Sequence, residues 1–360
     1  MSTFTDKERI EHFLEAQQNA VLEIADQGLL SLASLVETGA IDVSPQFQRR
    51  DRWDAEKQSL LIESFLTNIP VPPVYLAEDV ARLGSYAVID GKQRLTTVSA
   101  FFSDKLTLRG LVRLPGLNGL KYSQLPEGIK NPLGMKNLRV TTLLRQSSEE
   151  LKHEVFLRLN TGGEILNAQE IRNVAYRGPM NDLVYELSEN EFLRHQFKVV
   201  PPASPAFRQM LDAEFVLRFL ALSSNWKKFS GGLREELDRF MLDNRFPGPS
   251  IVEKSRRLFN ECINVVEKVW GTEAFKRPGR DQALAGLFDA QMIAVAELTT
   301  TERKLLIKNR ASAEQLSSEL FRDSEFEEAV RRGTNTPSRL KFRTSRYLDA
   351  LRNISNPASS

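Results

Sequence analysis

The stretch Tyr86 to Phe102, YAVIDGKQRLTTVSAFF, runs from an apolar strand through a sharp Asp90-Gly91 turn into a helix that opens with Lys92, Gln93 and Arg94. Strand, turn and helix start in that order make an anion site, because the first amides of a helix lack internal acceptors and the helix dipole favours negative charge there. Phosphate is the natural occupant. Gly91 lets the backbone approach it, Lys92 adds a cation and Arg94 donates a two-pronged hydrogen bond. Gln93 can reach ribose, base or phosphate, and Asp90 can hold a magnesium ion or orient a water. The same residues also fit an ordinary Asp-Gly turn with a basic first helical turn, so other segments have to decide.

Two other segments carry related chemistry. VSPQFQRRDRWD, Val43 to Asp54, is an extended run reaching Gln48 and Arg49, then Arg50, Arg52 and Trp53 before a helix, a path that can bring Arg49 beside Arg94. A solvated basic loop with Trp53 folded over the next helix explains it equally well. FLRLNTGGEILNAQEIR, Phe156 to Arg172, ends a helix at Asn160, turns through Thr161, Gly162 and Gly163, and starts a second helix at Asn167. Paired glycines admit a ligand to the backbone, and they also serve as plain helix caps.

Taken together, the three segments resemble the N-terminal family of GmrSD-type modification-dependent restriction endonucleases, which carries a QR...W segment, an (I/V)DGxQRL(T)T segment and an RLNTGG...L...E(I/L)RN segment in this order. The corresponding residues are Gln48-Arg49 with Trp53, Ile89 to Thr97, and Arg158 to Gly163 with Leu166, Glu170, Ile171, Arg172 and Asn173. The likeness runs from about Ser31 to Leu187, and Asp212-Ala213-Glu214 and Phe288-Asp289-Ala290 look similar to the family's helical half. What the resemblance implies is a ParB/sulfiredoxin-like fold whose DGxQR turn binds, and in several members hydrolyses, nucleoside triphosphate to control a nuclease, with Mg2+ as the accompanying ion. It carries catalytic roles onto Asp90, Gln93 and Arg94, with Asp90 as the metal ligand. Nucleotide contacts fall on Gln48, Arg49, Gly91, Lys92, Arg158, Asn160, Thr161, Gly162 and Gly163. Lys92 replaces the first Gln of the family's usual DGQQR, which puts a cation at the phosphate site and leaves base choice and hydrolysis open.

The elements that must position these residues read as an α+β chain, a mixed α/β domain followed by an all-helical one. Residues 1–30 are expected to form an amphipathic helix, opened by a Thr5/Glu8 capping box, with Ile10, Phe13, Leu14, Val21 and Leu22 on one face. Residues 31–200 are expected to form the ParB/sulfiredoxin-like domain: helices over 31–38, 54–66 and 92–102, an extended piece over 41–48, and strands over 73–77 and 86–89. Glycines and prolines between 105 and 145 predict a small antiparallel insertion with strand-like runs at 106–108 and 138–143. Asn167 and Glu170 form a second capping box, whose helix stops at Gly178-Pro179, and VVPPASP, Val199 to Pro205, is the expected boundary. Beyond it helices are expected over 207–222, 251–270, 281–298 and 312–332, a helical domain spanning 201–330 and then a basic tail, 331–360.

Composition narrows the function. The 360 residues carry 49 Lys and Arg against 47 Asp and Glu, so a net charge of +2 supplies no overall field for nucleic acid or membrane. One cysteine, Cys262, excludes disulfides within the chain and cysteine-rich zinc sites. No apolar run is long enough to span a bilayer, and a cytoplasmic location without membrane partners is the expectation. His12, His153 and His195 lie far apart, so an HNH nuclease module is not expected, and no P-loop, GxSxG or HExxH pattern is present. Arg331, Arg332, Arg339, Lys341, Arg343 and Arg346 form a tract without an acidic residue between its ends that could grip a phosphate backbone, although such runs are usually solvated or paired. The expected function is a nucleotide-binding, NTP-hydrolysing regulatory subunit of a prokaryotic anti-phage or restriction system, acting with a separate nuclease or another defence-system protein. DNA contact and oligomerisation stay open, and the competing readings are a non-catalytic DNA-binding or scaffolding protein and a self-contained DNA nuclease.

Overall fold

The computed structural model describes residues 5–18, 21–43, 53–79, 82–147, 154–155, 158–159, 167–201 and 204–355. The chain divides into two compact units, Met1–Ala175 and Tyr176–Ser360. The first contains α1 (Asp6–Gln18), β1 (Leu22–Gly28), α2 (Leu29–Glu37), β2 (Ile41–Asp42), α3 (Ala55–Leu66), β3 (Val74–Glu78), β4 (Tyr86–Asp90), α4 (Lys92–Phe102), α5 (Glu127–Gly134), β5 (Asn137–Leu143) and α6 (Ala168–Ala175). Its five strands lie in the order β1-β5-β3-β4-β2, antiparallel between β1 and β5 and between β3 and β4, parallel between β5 and β3 and between β4 and β2. The fold class is α+β, as expected.

Alternation along β3 and β4 sends side chains to two apolar layers. Val74, Leu76 and Val88 pack with Leu32 of α2, Ile62 and Phe65 of α3 and Leu95, Val98 and Phe101 of α4. Ala87 and Ile89 face the other way, with Leu143 and with Ile171 of α6. Burying each of the large side chains stabilises by about 1.5–3 kcal/mol, so β4 is fixed from both sides and α4 from the first. Asp54 caps α3 by accepting from the Lys57 amide at 2.8 Å. Both expected capping boxes form: Glu8 accepts from the Thr5 amide at 2.7 Å, and Glu170 accepts from the Asn167 amide at 2.7 Å.

Two expectations are corrected here. The chain does not continue as one helix to residue 30; it becomes β1, the edge strand, paired from Leu22↔Leu143 to Gly28↔Asn137. Leu22 and Ile24 stay half or more exposed, so pairing with β5 rather than burial makes this segment a strand. The 105–145 region is not a separate antiparallel insertion, because β5 enters the main sheet between β1 and β3. Residues 106–108 form no strand; that loop is closed by Leu108 N to Leu120 O at 3.0 Å and by the nearly buried Glu63, which accepts from the Arg113 and Leu114 amides at 2.7 and 2.8 Å.

The second unit is helical. Its Ala285–Glu297 helix is buried at every position from Gly286 to Val295, the polar Asp289 and Gln291 included. Phe215, Phe275 and Phe288 stack around it, with ring centroids 4.8 and 5.0 Å apart. The division at Ala175–Tyr176 precedes the Val199–Pro205 segment expected to separate domains, since the Pro179–Ser188 helix buries Met180, Leu183, Val184 and Leu187 against the Leu211–Asn225 and Pro249–Trp270 helices. The expected 312–332 helix is two, Arg310–Leu320 and Ser324–Arg331, broken where Asp323 caps Glu325 and Phe326. Residues 337–355 are no tail: they form a helix that buries Leu340, Tyr347, Leu348 and Leu351.

Candidate functional site

The site is built at the end of β4. The β3–β4 register slips between Tyr75 and Leu76, which pair with Asp90 and Val88, so Ile89 is an extra residue in the strand. A bulge of this kind re-aims the residues that follow it. Gly91 then takes φ +94° and α4 begins at Lys92. A Cβ at position 91 would lie 2.4 Å from Val74 Cγ1 and 3.0 Å from Arg94 Nη2. The glycine is therefore required by a left-handed turn pressed onto β3, and its side-chain position, expected to face a phosphate, is filled by Val74 and Arg94.

Arg94 folds back along the turn. Its Nη2 donates to Asp90 Oδ2 at 2.7 Å and to the Pro73 carbonyl at 3.1 Å, with the side chain only 14% exposed. The Nε is buried without an acceptor. Asp90, expected to hold a metal, spends Oδ2 on this pair and stays 39% exposed. No group of three or more His, Cys, Asp or Glu able to hold a metal ion occurs among the described residues. Gln93 Oε1 accepts from the Trp53 amide at 3.3 Å, which ties the end of the QR...W segment to the DGKQR turn. Trp53 itself packs against the core with Lys57 Nζ 5.1 Å over its ring, the tucked-in placement weighed from sequence.

The third segment reaches the same strand through α6. Ile171 packs against Ala87 and Ile89, while Glu170, Arg172 and Asn173 are buried around it. The structure thus brings Asp90, Gly91, Lys92, Gln93 and Arg94 together with Trp53 and the 170–173 run. Arg158 is exposed and pairs with Glu154. Gln48, Arg49, Asn160, Thr161, Gly162 and Gly163 lie outside the described residues. The strand expected over 73–77 is present as β3, but its part in the site was missed: Pro73 and Val74 hold Arg94 and Gly91, and only the β3–β4 pairing, which carries no local signature, puts them there.

The basic tract of the second unit has largely been given acidic partners. Arg331 pairs with Glu327 at 3.0 Å, Arg339 with Glu328 at 2.9 Å and Arg346 with Asp323 at 3.8 Å. Arg343 is fully buried on Asp289, whose two oxygens also hold Arg218. Arg332 and Lys341 belong to the same region, but a continuous phosphate-gripping face through Arg343 is ruled out by its burial.

An α+β domain with a strand, Asp-Gly turn and helix at its centre is followed by a helical unit. Residues 32–177 match the family described as GmrSD restriction endonuclease, N-terminal domain. The matched span ends beside the Ala175–Tyr176 division. The match points to a restriction-related defence system. No curated protein and no solved structure matches the chain. No helix among the described residues is long and apolar enough to cross a membrane.

Proposed function

We propose that the chain is a nucleotide-binding regulatory component of a restriction-type defence system, working with a nuclease carried on another protein. The observation that carries this reading is Arg94: a largely buried guanidinium at the start of α4, one nitrogen on Asp90 and Pro73, and an Nε left without an acceptor. A buried donor without a partner costs about 1–3 kcal/mol, and a triphosphate oxygen is the acceptor that the helix start and Lys92 also favour. Asp90, whose carboxylate is partly exposed, would hold a magnesium ion, which would supply charge neutralisation there. Gln93, held by the Trp53 amide, is placed to report occupancy to the preceding segment.

The test is calorimetric titration of the full chain with ATP and GTP in magnesium buffer, beside the Arg94→Lys variant, which keeps the charge and loses the planar fork. Tenfold or weaker binding by Arg94→Lys, with a native thermal midpoint, is expected. Equal heats for the two proteins, or no heat with the native chain, would overturn the proposal. Phosphate release measured on the same samples separates binding from hydrolysis.

A further inference from the structure

The second unit holds a cavity that neither the family nor the DGKQR turn accounts for. It measures about 250 Å³ and is lined by Arg277, Arg280, Gln282, Leu284 and Arg331. Four of these five side chains end in nitrogen donors. Organic ligands occupy mostly apolar pockets of roughly 300–1,000 Å³, so the size and the lining both favour a small, strongly hydrated anion.

The charges around it do not balance. Arg277 Nη2 and Arg331 Nη1 share a single oxygen of Glu327, at 2.8 and 3.0 Å. Arg280 is exposed and has no acidic partner among the described residues. The nearest other acid in the loop, Asp281, is already held between Lys276 at 2.7 Å and Lys198 at 3.0 Å. Three guanidiniums therefore face one carboxylate. The loop is not loose: Lys276 and Ala283 form a β-bridge across it, Leu284 N donates to Phe275 O at 2.8 Å, and Gly279 makes the reversal at φ +70°. A rigid hairpin thus aims Arg277 and Arg280 at the end of the Ser324–Arg331 helix.

We infer that this pocket binds a phosphate group through Arg277, Arg280 and Arg331. Guanidiniums recognise phosphate oxygens in pairs, and the carboxylate of Glu327 sets the spacing of two of them before any ligand arrives. The site is independent of the nucleotide turn, because none of its residues lies in the first unit. The phosphate could belong to a polynucleotide backbone or to a free polyphosphate, and the two sources are separable by experiment.

The full chain, Arg280→Ala and Arg280→Lys are titrated with inorganic pyrophosphate by calorimetry and with a labelled DNA duplex by anisotropy at several salt concentrations. Arg280 is exposed on a turn, so neither substitution should move the thermal midpoint, and Arg94 is intact throughout. At least one probe should bind Arg280→Ala tenfold or more weakly, with Arg280→Lys retaining part of the loss. Duplex binding reduced in Arg280→Ala, with the salt dependence of log K shallower by about one, identifies a backbone phosphate. Weakening confined to pyrophosphate identifies a free anion. Unchanged affinity of Arg280→Ala for both probes, or no binding of either by the native chain, overturns the inference.

Discussion

Gly91 and Arg94 show how a turn that looks permissive is held in one conformation. Gly91 sits at φ +94°, and a methyl there would meet Val74 Cγ1 at 2.4 Å, so Gly91→Ala combines left-handed strain with a steric clash. A loss of at least about 2 kcal/mol is expected, read as a lower urea midpoint at unchanged slope; an unaltered midpoint would mean the turn is not packed as described. Among the described residues Asp90 is the only acid bonded to Arg94, in a pair partly open to solvent on the carboxylate side. Asp90→Ala should therefore cost only about 1 kcal/mol, and less at high salt.

At the scale of elements, the loop between α4 and α5 is fastened to α3 by two side chains, the first being Ser59, which accepts from the Arg109 amide at 2.9 Å. Glu63 accepts from the amides of Val112, Arg113 and Leu114. Glu63→Ala leaves these donors unpaired, and a loss of about 1–3 kcal/mol is expected, together with faster hydrogen exchange at the three amides than in the native chain. Exchange unchanged at residues 112–114 would show that Ser59 and the apolar contacts hold the loop without Glu63.

Over the whole molecule, the helical unit is organised around Asp289, which is 1% exposed between the buried Arg218 and Arg343. Burial opposes both guanidinium charges; beside the two-pronged Asp289 contact Arg218 is nonetheless held above its ordinary pKa, whereas Arg343, facing Arg218 as well, is lowered. Asp289→Asn removes the anion bonded to both, and should destabilise the protein by about 3–5 kcal/mol, seen as a large fall in thermal midpoint. Cys262 reports the same core. Burial pushes its thiol up to about 12, so at pH 8 a thiol reagent should label it only at the rate of unfolding. Because the folded value is raised, its contribution to stability is complete below the ordinary thiol range near pH 9 and is lost as pH rises toward about 12. Rapid labelling of the folded chain would contradict the buried placement.

Local chemistry was readable without coordinates: the capping boxes at Thr5 and Asn167, helix 92–102, and the Asp90-Gly91 turn all rest on interactions between residues a few positions apart. Hydrophobic periodicity likewise separated a mixed sheet region from a helical half. What tertiary structure alone decided was pairing between distant segments, whose partners leave no mark in either sequence run. β1 was read as helix because Val21 and Leu22 continue the helical spacing of Ile10, Phe13 and Leu14, and β5 as an insertion because its place depends on β3, 66 positions earlier, and on β1, more than a hundred positions earlier. The basic tract misled for the same reason, since the acid that neutralises Arg343 sits 54 residues earlier, on a helix brought alongside only by folding.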